Sequence, residues 1–467
     1  MPKITINQWN GGISPHYHSG LLNQCSDMKN ISVTAHPDAL MLANATEKML
    51  EAGGEISCGF HLKEFIKKDN IGMIVATENG EIWYNNQKIH AEAGRVYRQV
   101  FYDVYTAEKI KRSGIFLIHN TGVDRYEYDK NTNTFINFTK NIDKFALTTP
   151  DENVKNFPIL RVNNQVFIGW GNQIMVWDGI IFQKKLNFSE ITRIVWLSAY
   201  GDYVHIYATD GENSYKWIYD PVRDDKQPWS MKNFPRMEIK AVTTDGNIDL
   251  IVTDSDDIYQ SSGLQIQKYL NYEKNIFVPD RNFGNIVRNH EDTSYISAES
   301  VLYILKSGEI GTPPILQKLS VDGKITFAYA TKNEIYIATS WQKNILQKIS
   351  VKAWENVAES GEYETLFYRA KKYGKLSGID IRANFHGKSG GIIEIFARRD
   401  VSDDWAKLCE LNDKKWIQKR EKTFLNDQLW NFSEIQFKIV LKKSQDGKSP
   451  LLYELTAEYD DTNTATI

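Results

Sequence analysis

The sequence predicts an all-β chain, a β-propeller followed by a C-terminal β-sandwich or jelly roll. Three observations carry this. Short apolar runs rich in β-branched and aromatic residues alternate with small polar turns between about residues 60 and 350, with a period of two rather than 3.6. These hairpins recur at a spacing close to one propeller blade. Beyond residue 355 the texture changes to longer alternating strands.

The first hairpin is Met73-Ile74-Val75-Ala76-Thr77, turned by Glu78-Asn79-Gly80 into Ile82-Trp83-Tyr84, where Asn-Gly supplies the positive φ that a tight turn needs. The second runs from Ile115 to Ile118 through Asn120-Thr121-Gly122 into Tyr126-Glu127-Tyr128, and the third from Val166 to Ile168 through Gly171-Asn172 into Ile174 to Trp177. Val204 to Ala208 turns at Thr209-Asp210-Gly211, and Leu250 to Val252 at Thr253-Asp254-Ser255. Val301 to Leu305 turns at Lys306-Ser307-Gly308, and Ile335 to Ala338 near Thr339-Ser340. Counted at the start of each turn (77, 119, 170, 209, 253, 306, 339), the gaps are 42, 51, 39, 44, 53 and 33. Their mean, (339 − 77)/6, is about 44, within the length of a blade. A small sheet with two apolar faces cannot shield both alone, and radial repetition covers each face with the next blade. Seven beats predict seven blades; the close pair at 306 and 339, read as one irregular blade, gives six. The runs Ile191 to Ser198 and Ile239 to Thr244 supply extra strands.

Residues 1–55 read as an arm, with a strand Ile4-Thr5-Ile6 and a Gly11-Gly12 turn, that either lends a strand to close the ring or extends onto a neighbouring subunit. Residues 56–355 are assigned to the propeller. Residues 356–467 are assigned to the sandwich, with strands Thr365 to Ala370, Leu376 to Ala383, Gly391 to Arg398, Glu434 to Lys442 and Leu451 to Tyr459. Ala43 to Ala52 and Ala107 to Ser113 are the only short helices expected.

With 56 Lys+Arg against 59 Asp+Glu, the formal net charge of -3 provides no basic field for sequence-specific nucleic-acid binding. The clusters Lys371-Lys372 and Lys419-Arg420 read as solvated faces. Three cysteines, Cys25, Cys58 and Cys409, are too few and too scattered for a disulfide framework or a zinc site. The start of the chain lacks the pattern of a secretion signal, and no run of about 18 apolar residues suggests membrane insertion; synthesis in a cytoplasm is expected. The 12 Trp, 24 Tyr and 21 Phe suit sheets stacked face to face.

No residue set reads as catalytic, metal-binding or cofactor-binding, so neither an enzyme nor a cofactor is predicted. His16-Tyr17-His18 places two imidazoles on one side of an extended segment, but spacing fixes no third ligand. Asp254, Asp256 and Asp257 resemble the start of a calcium loop without its glycine and distal glutamate. Gly387-Lys388-Ser389 resembles the end of a phosphate loop, yet Arg382 stands where the upstream glycine belongs and a strand follows. No Gly-x-Ser-x-Gly elbow occurs. A glycosidase's two carboxylates need only meet in space, but the Ser-x-Asp-x-Gly-x-Thr-Trp turns of sialidase propellers are absent from the sequence.

The opening Ile4-Thr5-Ile6-Asn7-Gln8-Trp9-Asn10-Gly11-Gly12-Ile13, with Leu21-Leu22 and Met28-Lys29-Asn30-Ile31, resembles that of tailed-bacteriophage virion proteins: a strand, a Gly-Gly-aliphatic turn, and an Asn-plus-aliphatic strand ahead of hairpin repeats. After Pro37 the pattern departs, with Ala39-Leu40-Met41-Leu42 in place of a Gly-rich turn and a basic residue. The layout is similar to tail nozzle or hub proteins of short-tailed phages. That resemblance implies a ring of copies around the DNA exit channel, partnered by an adaptor and by fibre or spike proteins, with genome DNA passing through without sequence-specific contact. It places the chain in the virion tail after synthesis in the host cytoplasm. The alternative from another class is a glycan-binding or glycan-cleaving propeller with a lectin-like sandwich.

Overall fold

A computed structural model describes residues 2–461 except 17, 19, 22, 37, 67–71, 108, 120, 144–156, 192, 224–229, 235, 245–247, 254–256, 264, 272–286, 291–292, 307–314, 332, 352–355, 386–389, 413–418 and 425–430. The chain builds a seven-bladed β-propeller and a separate nine-stranded antiparallel sheet.

Six blades are sequential four-stranded meanders, beginning at Ile56–His61, Tyr97–Ala107, Ile159–Val162, Arg193–Tyr200, Ile239–Thr244 and Val287–His290. The seventh takes Ile325–Ala330, Glu334–Thr339 and Gln342–Ser350, then receives Glu47–Glu51 from the start of the chain as its fourth strand. First strands touch one another around the ring, and Ile325–Ala330 meets Ile56–His61 to complete it. They are therefore the innermost strands. Blades two and three are joined by ring stacking, with Phe101, Phe116, Trp177 and Phe182 in one apolar cluster.

The second strands show why the blades pack. Met73–Thr77 and Gln173–Trp177 are buried along their whole length, as a strand enclosed by sheets on both faces requires. At the end of the second strand a threonine recurs. Thr77 Oγ1 accepts from Glu81 N at 2.9 Å, Thr209 Oγ1 donates to Asn213 O at 2.9 Å, and Thr253 Oγ1 donates to Asp257 O at 3.2 Å. One hydroxyl thus bridges each turn and satisfies a backbone group the ladder leaves over.

The sixth beat of the sequence pattern falls on a different strand from the others. Thr77, His119, Trp170, Thr209, Thr253 and Thr339 end second strands, whereas Lys306 ends the third strand of blade six, Val301–Lys306. The second strand there is Thr293–Ala298. Counting from 298, the last gaps become 45 and 41 (298 − 253 and 339 − 298), so the irregularity disappears and six blades are excluded.

Both predicted helices are strands. Glu47–Glu51 pairs Leu50 with Leu346 and Glu51 with Ile345, because the open edge of Gln342–Ser350 offers backbone partners that outweigh the helix propensity of Glu-Lys-Met-Leu-Glu. Ala107 to Ser113 spans a tight hairpin: Ala107 faces Ile110 across the turn, and Lys109 adopts φ 64°. Among the described residues the one helical piece is the 3-10 turn Leu62–Glu64.

The nine-stranded sheet combines C-terminal strands with the arm. Lys3–Ile6 pairs with Leu451–Asp461, and Cys25–Lys29 with Ser360–Thr365. The network branches at Tyr368–Asn384 and Asn431–Lys442, each of which pairs with three other strands, linking Ile392–Arg398, Ala406–Asn412 and Lys419–Phe424 into one sheet. Its core holds Ile379, Ile435, Ile439 and Leu455, and Trp9 is buried within it. Trp9 donates Nε1–H to Tyr453 O at 3.1 Å and meets Tyr363 edge to face at 5.5 Å.

Candidate functional site: the arm joint, the polar clusters and the channel mouth

The Gly-Gly-aliphatic turn is a joint. Gly12 has φ 72°, and a Cβ there would lie 2.7 Å from Leu316 N, so only glycine allows the approach. Ile13 N donates to Leu316 O at 2.9 Å, and Cys25 N to Gly12 O at 2.9 Å. The Asn-plus-aliphatic pair docks on the same strand, Ile315–Ser320, the outermost of blade six. Asn30 N donates to Lys318 O at 3.3 Å, and Ser320 N to Asn30 Oδ1 at 2.8 Å, with Asn30 itself at φ 53°. Lys318 Nζ reaches Asp27 at 2.6 Å. One apolar cluster runs without a break from Trp9, Ile13 and Met28 to Leu316, Tyr303 and Ile296 of blade six. Where the chain enters and leaves the propeller it is tied to itself: Ala45 N donates to Asn356 O at 2.9 Å and Ala358 N to Ala43 O at 2.8 Å.

Two buried carboxylates organise polar clusters. Between blades four and five, Asp249 accepts from Ser198 Oγ at 2.9 Å and from the Tyr207 hydroxyl, and lies 3.3 Å from His205 Nδ1. Burial would raise its carboxyl, but the bonds from His205 and Tyr207 and the charge of Lys216 hold it below the usual range. Lys216 is fully buried; its Nζ donates to Ser261 Oγ at 2.6 Å and to Gly263 O, and stands 3.9 Å from Asp249. Desolvation pulls its ammonium down to about 8 against the pull of Asp249. In blade two, Asp124 lies 3.1 Å from Arg95 Nε and 3.4 Å from His119 Nε2, and accepts from the Tyr97 hydroxyl at 3.2 Å. Burial opposes ionisation there, yet His119, the Asn141 N–H and Arg95 keep the carboxyl low. Both clusters fix strands with fully engaged donors, and neither aims a group at a common reacting point.

The propeller channel holds a cavity of about 390 Å³ walled by first strands of six blades, through Phe60, Phe101, Leu160, Trp196, Thr244 and Tyr329, with Phe65 from the first turn of blade one. Arg161 in its wall is held at 3.0 Å from Asp103 and donates to Tyr102 O at 2.9 Å. Asp103 also accepts from Trp177 Nε1 at 2.7 Å.

The motifs singled out in the sequence do not converge. His18 Nδ1 lies 3.3 Å from Glu434 and its ring stacks on Phe367 at 4.7 Å; His16 N donates to Ser14 Oγ at 3.2 Å. Asp257 is 2.8 Å from Lys268 Nζ, while 254 and 256 lie outside the described residues, as do 386–389 with the phosphate-loop look-alike. The three cysteines are buried and form no disulfide, and the described residues contain no group of three or more metal-ligating side chains. Among the described residues no helix is long and apolar enough to cross a membrane. The Asp249 cluster escaped sequence reading because its members sit on four strands of two blades; the polar Lys216 inside the apolar run Tyr215 to Tyr219 was the available signal.

The fold thus defines a seven-bladed propeller with an attached sheet. No family model and no curated protein matches the chain. Solved structures similar to it include PorZ, an essential surface component of the type-IX secretion system of Porphyromonas gingivalis (11% identity, TM-score 0.41, covering 70% of this chain and 44% of that one). The Dos1 propeller is similar at 9% identity and TM-score 0.41, covering 74% and 94%. YCF48 bound to D1 peptide is similar at 12% identity and TM-score 0.41, covering 66% and 97%. The chain spans less than half the length of the PorZ chain. The propeller assignment rests on strand pairing.

Proposed function

We propose that the chain is a non-enzymatic structural component of a tailed-phage virion, a nozzle or hub subunit that forms a ring of copies around the DNA exit channel. One observation carries the reading: the residues that resemble the virion family, Trp9, Gly12, Ile13, Asn30 and Ile31, are those that fasten the terminal sheet onto blade six. In such a reading the shared motif serves architecture, and a part that bears load between neighbours needs its two units held as one piece. Contacts with copies of itself, with an adaptor and with fibre or spike proteins, and passage of DNA without sequence recognition, belong to the same proposal. Its test is mass spectrometry of purified particles from cells that express the chain. The reading expects the chain in particles at several copies each; a chain abundant in infected cells and absent from particles overturns it.

A further inference from the structure

In an antiparallel meander the turns between first and second strands and between third and fourth strands lie on one face of the ring, and the remaining turns on the other. Exposed large apolar side chains in the described propeller are divided very unevenly between these faces. All but Ile159 and Trp341 lie on the first face, at these turns or within three residues of them. Ile110, Ile180, Ile181, Tyr200, Tyr203 and Val222 mark it over three consecutive blades, with Ile180 74% and Val222 75% exposed. Such concentration on one face is what an interaction surface shows and scattered exposure does not.

The channel cavity is lined near this face, by Phe65 and by the later residues of the first strands of blades one, five and seven. Two lining residues carry buried donors without a partner, Trp196 Nε1 and the Tyr102 hydroxyl. A buried donor left unmade is costly, so it marks a place for an acceptor. The innermost strands also turn one edge to the channel with no neighbouring strand. Asp103 neutralises Arg161, so the wall favours an uncharged occupant.

We infer that this face is a docking surface for a partner protein, which inserts an uncharged apolar loop or chain end into the channel mouth, its backbone carbonyls facing the unpartnered donors. A polypeptide is favoured over a small molecule because the apolar rim continues over three blades outside a cavity of about 390 Å³. The inference does not depend on the virion reading.

The test has two stages. The uncharged probe N-phenyl-1-naphthylamine, titrated into the full chain, is expected to bind saturably, about tenfold more weakly to Phe65→Ala and unchanged to Trp341→Ala on the opposite face. Phe65 is 45% exposed on a turn, so its loss leaves the fold intact. A photo-crosslinking residue at position 180, in cells that naturally make the chain, is then expected to join a different polypeptide, and one at position 341 is not. Absence of saturable binding, or equal binding by Phe65→Ala, overturns the inference. Probe binding without a crosslink at 180 gives the mouth to a small apolar molecule and also overturns it, as do crosslinks solely to a second copy. A chain missing from particles would sink the virion reading and leave this one standing.

Discussion

At Gly12 a hydrogen atom decides whether two parts of the molecule meet. Replacing it with alanine puts a methyl group 2.7 Å from Leu316 N and forces φ 72° on a residue that disfavours it, which costs about 2 to 3 kcal/mol. Chemical denaturation should show that loss, and none of similar size for Gly171→Ala, where positive φ is present but no atom lies within 4 Å. Lys216 makes a second prediction. Its ammonium titrates at about 8 when folded and near 10.5 when unfolded, so below both values burial of the charge is a constant cost. Between them the unfolded chain binds more protons, and stability therefore rises with pH. From pH 7.5 to 9.5 the gain is on the order of 2 kcal/mol. Urea unfolding should show this slope in the native chain and lack it in Lys216→Met; equal slopes would contradict the assignment. Tyr207 is pushed above its ordinary value by burial and by Asp249, so it does not titrate in that window.

At the scale of the strand, closure of the ring rests on Glu47–Glu51, and Leu50 is its anchor, buried beside Met73, Tyr336 and Leu346. Leu50→Asp leaves a buried carboxylate against apolar side chains and is expected to lower stability by about 3 kcal/mol. Hydrogen exchange should open first along Gln342–Ser350, the strand that loses its partner. Sequence patterning located most of these elements, since Asn79-Gly80 and the alternation of Ile82 to Tyr84 are local signals. It misplaced the beat at Lys306 because the second and third strands of blade six are both apolar, and spacing alone does not order them. It took the closing strand for a helix because pairing with a strand about 300 residues away leaves no local trace. It missed Ala406–Asn412 and Lys419–Phe424, which lie among polar residues and are defined by their ladder partners. Of the polar site, Lys216 was visible as one charge in an apolar strand; its partners Ser198, Asp249 and Ser261 come together through blade packing alone.

For the molecule as a whole, the arm is an integral part of both units. Its first strands enter the terminal sheet, its Gly-Gly turn and Asn30 grip blade six, and its last strand closes the ring. The alternative raised by the sequence, an arm reaching a neighbour, makes a different covalent prediction. Cysteines placed at Glu51 and Ile345 face each other across the closing ladder, on an exposed and a half-buried position. Oxidation of the double variant, read on a non-reducing gel, is expected to give one crosslinked species of monomer mass with a loop closed inside a single chain. Disulfide-linked dimers or longer ladders, with no internal bond, would show that the seventh blade is completed by another copy and would contradict the closed ring described above.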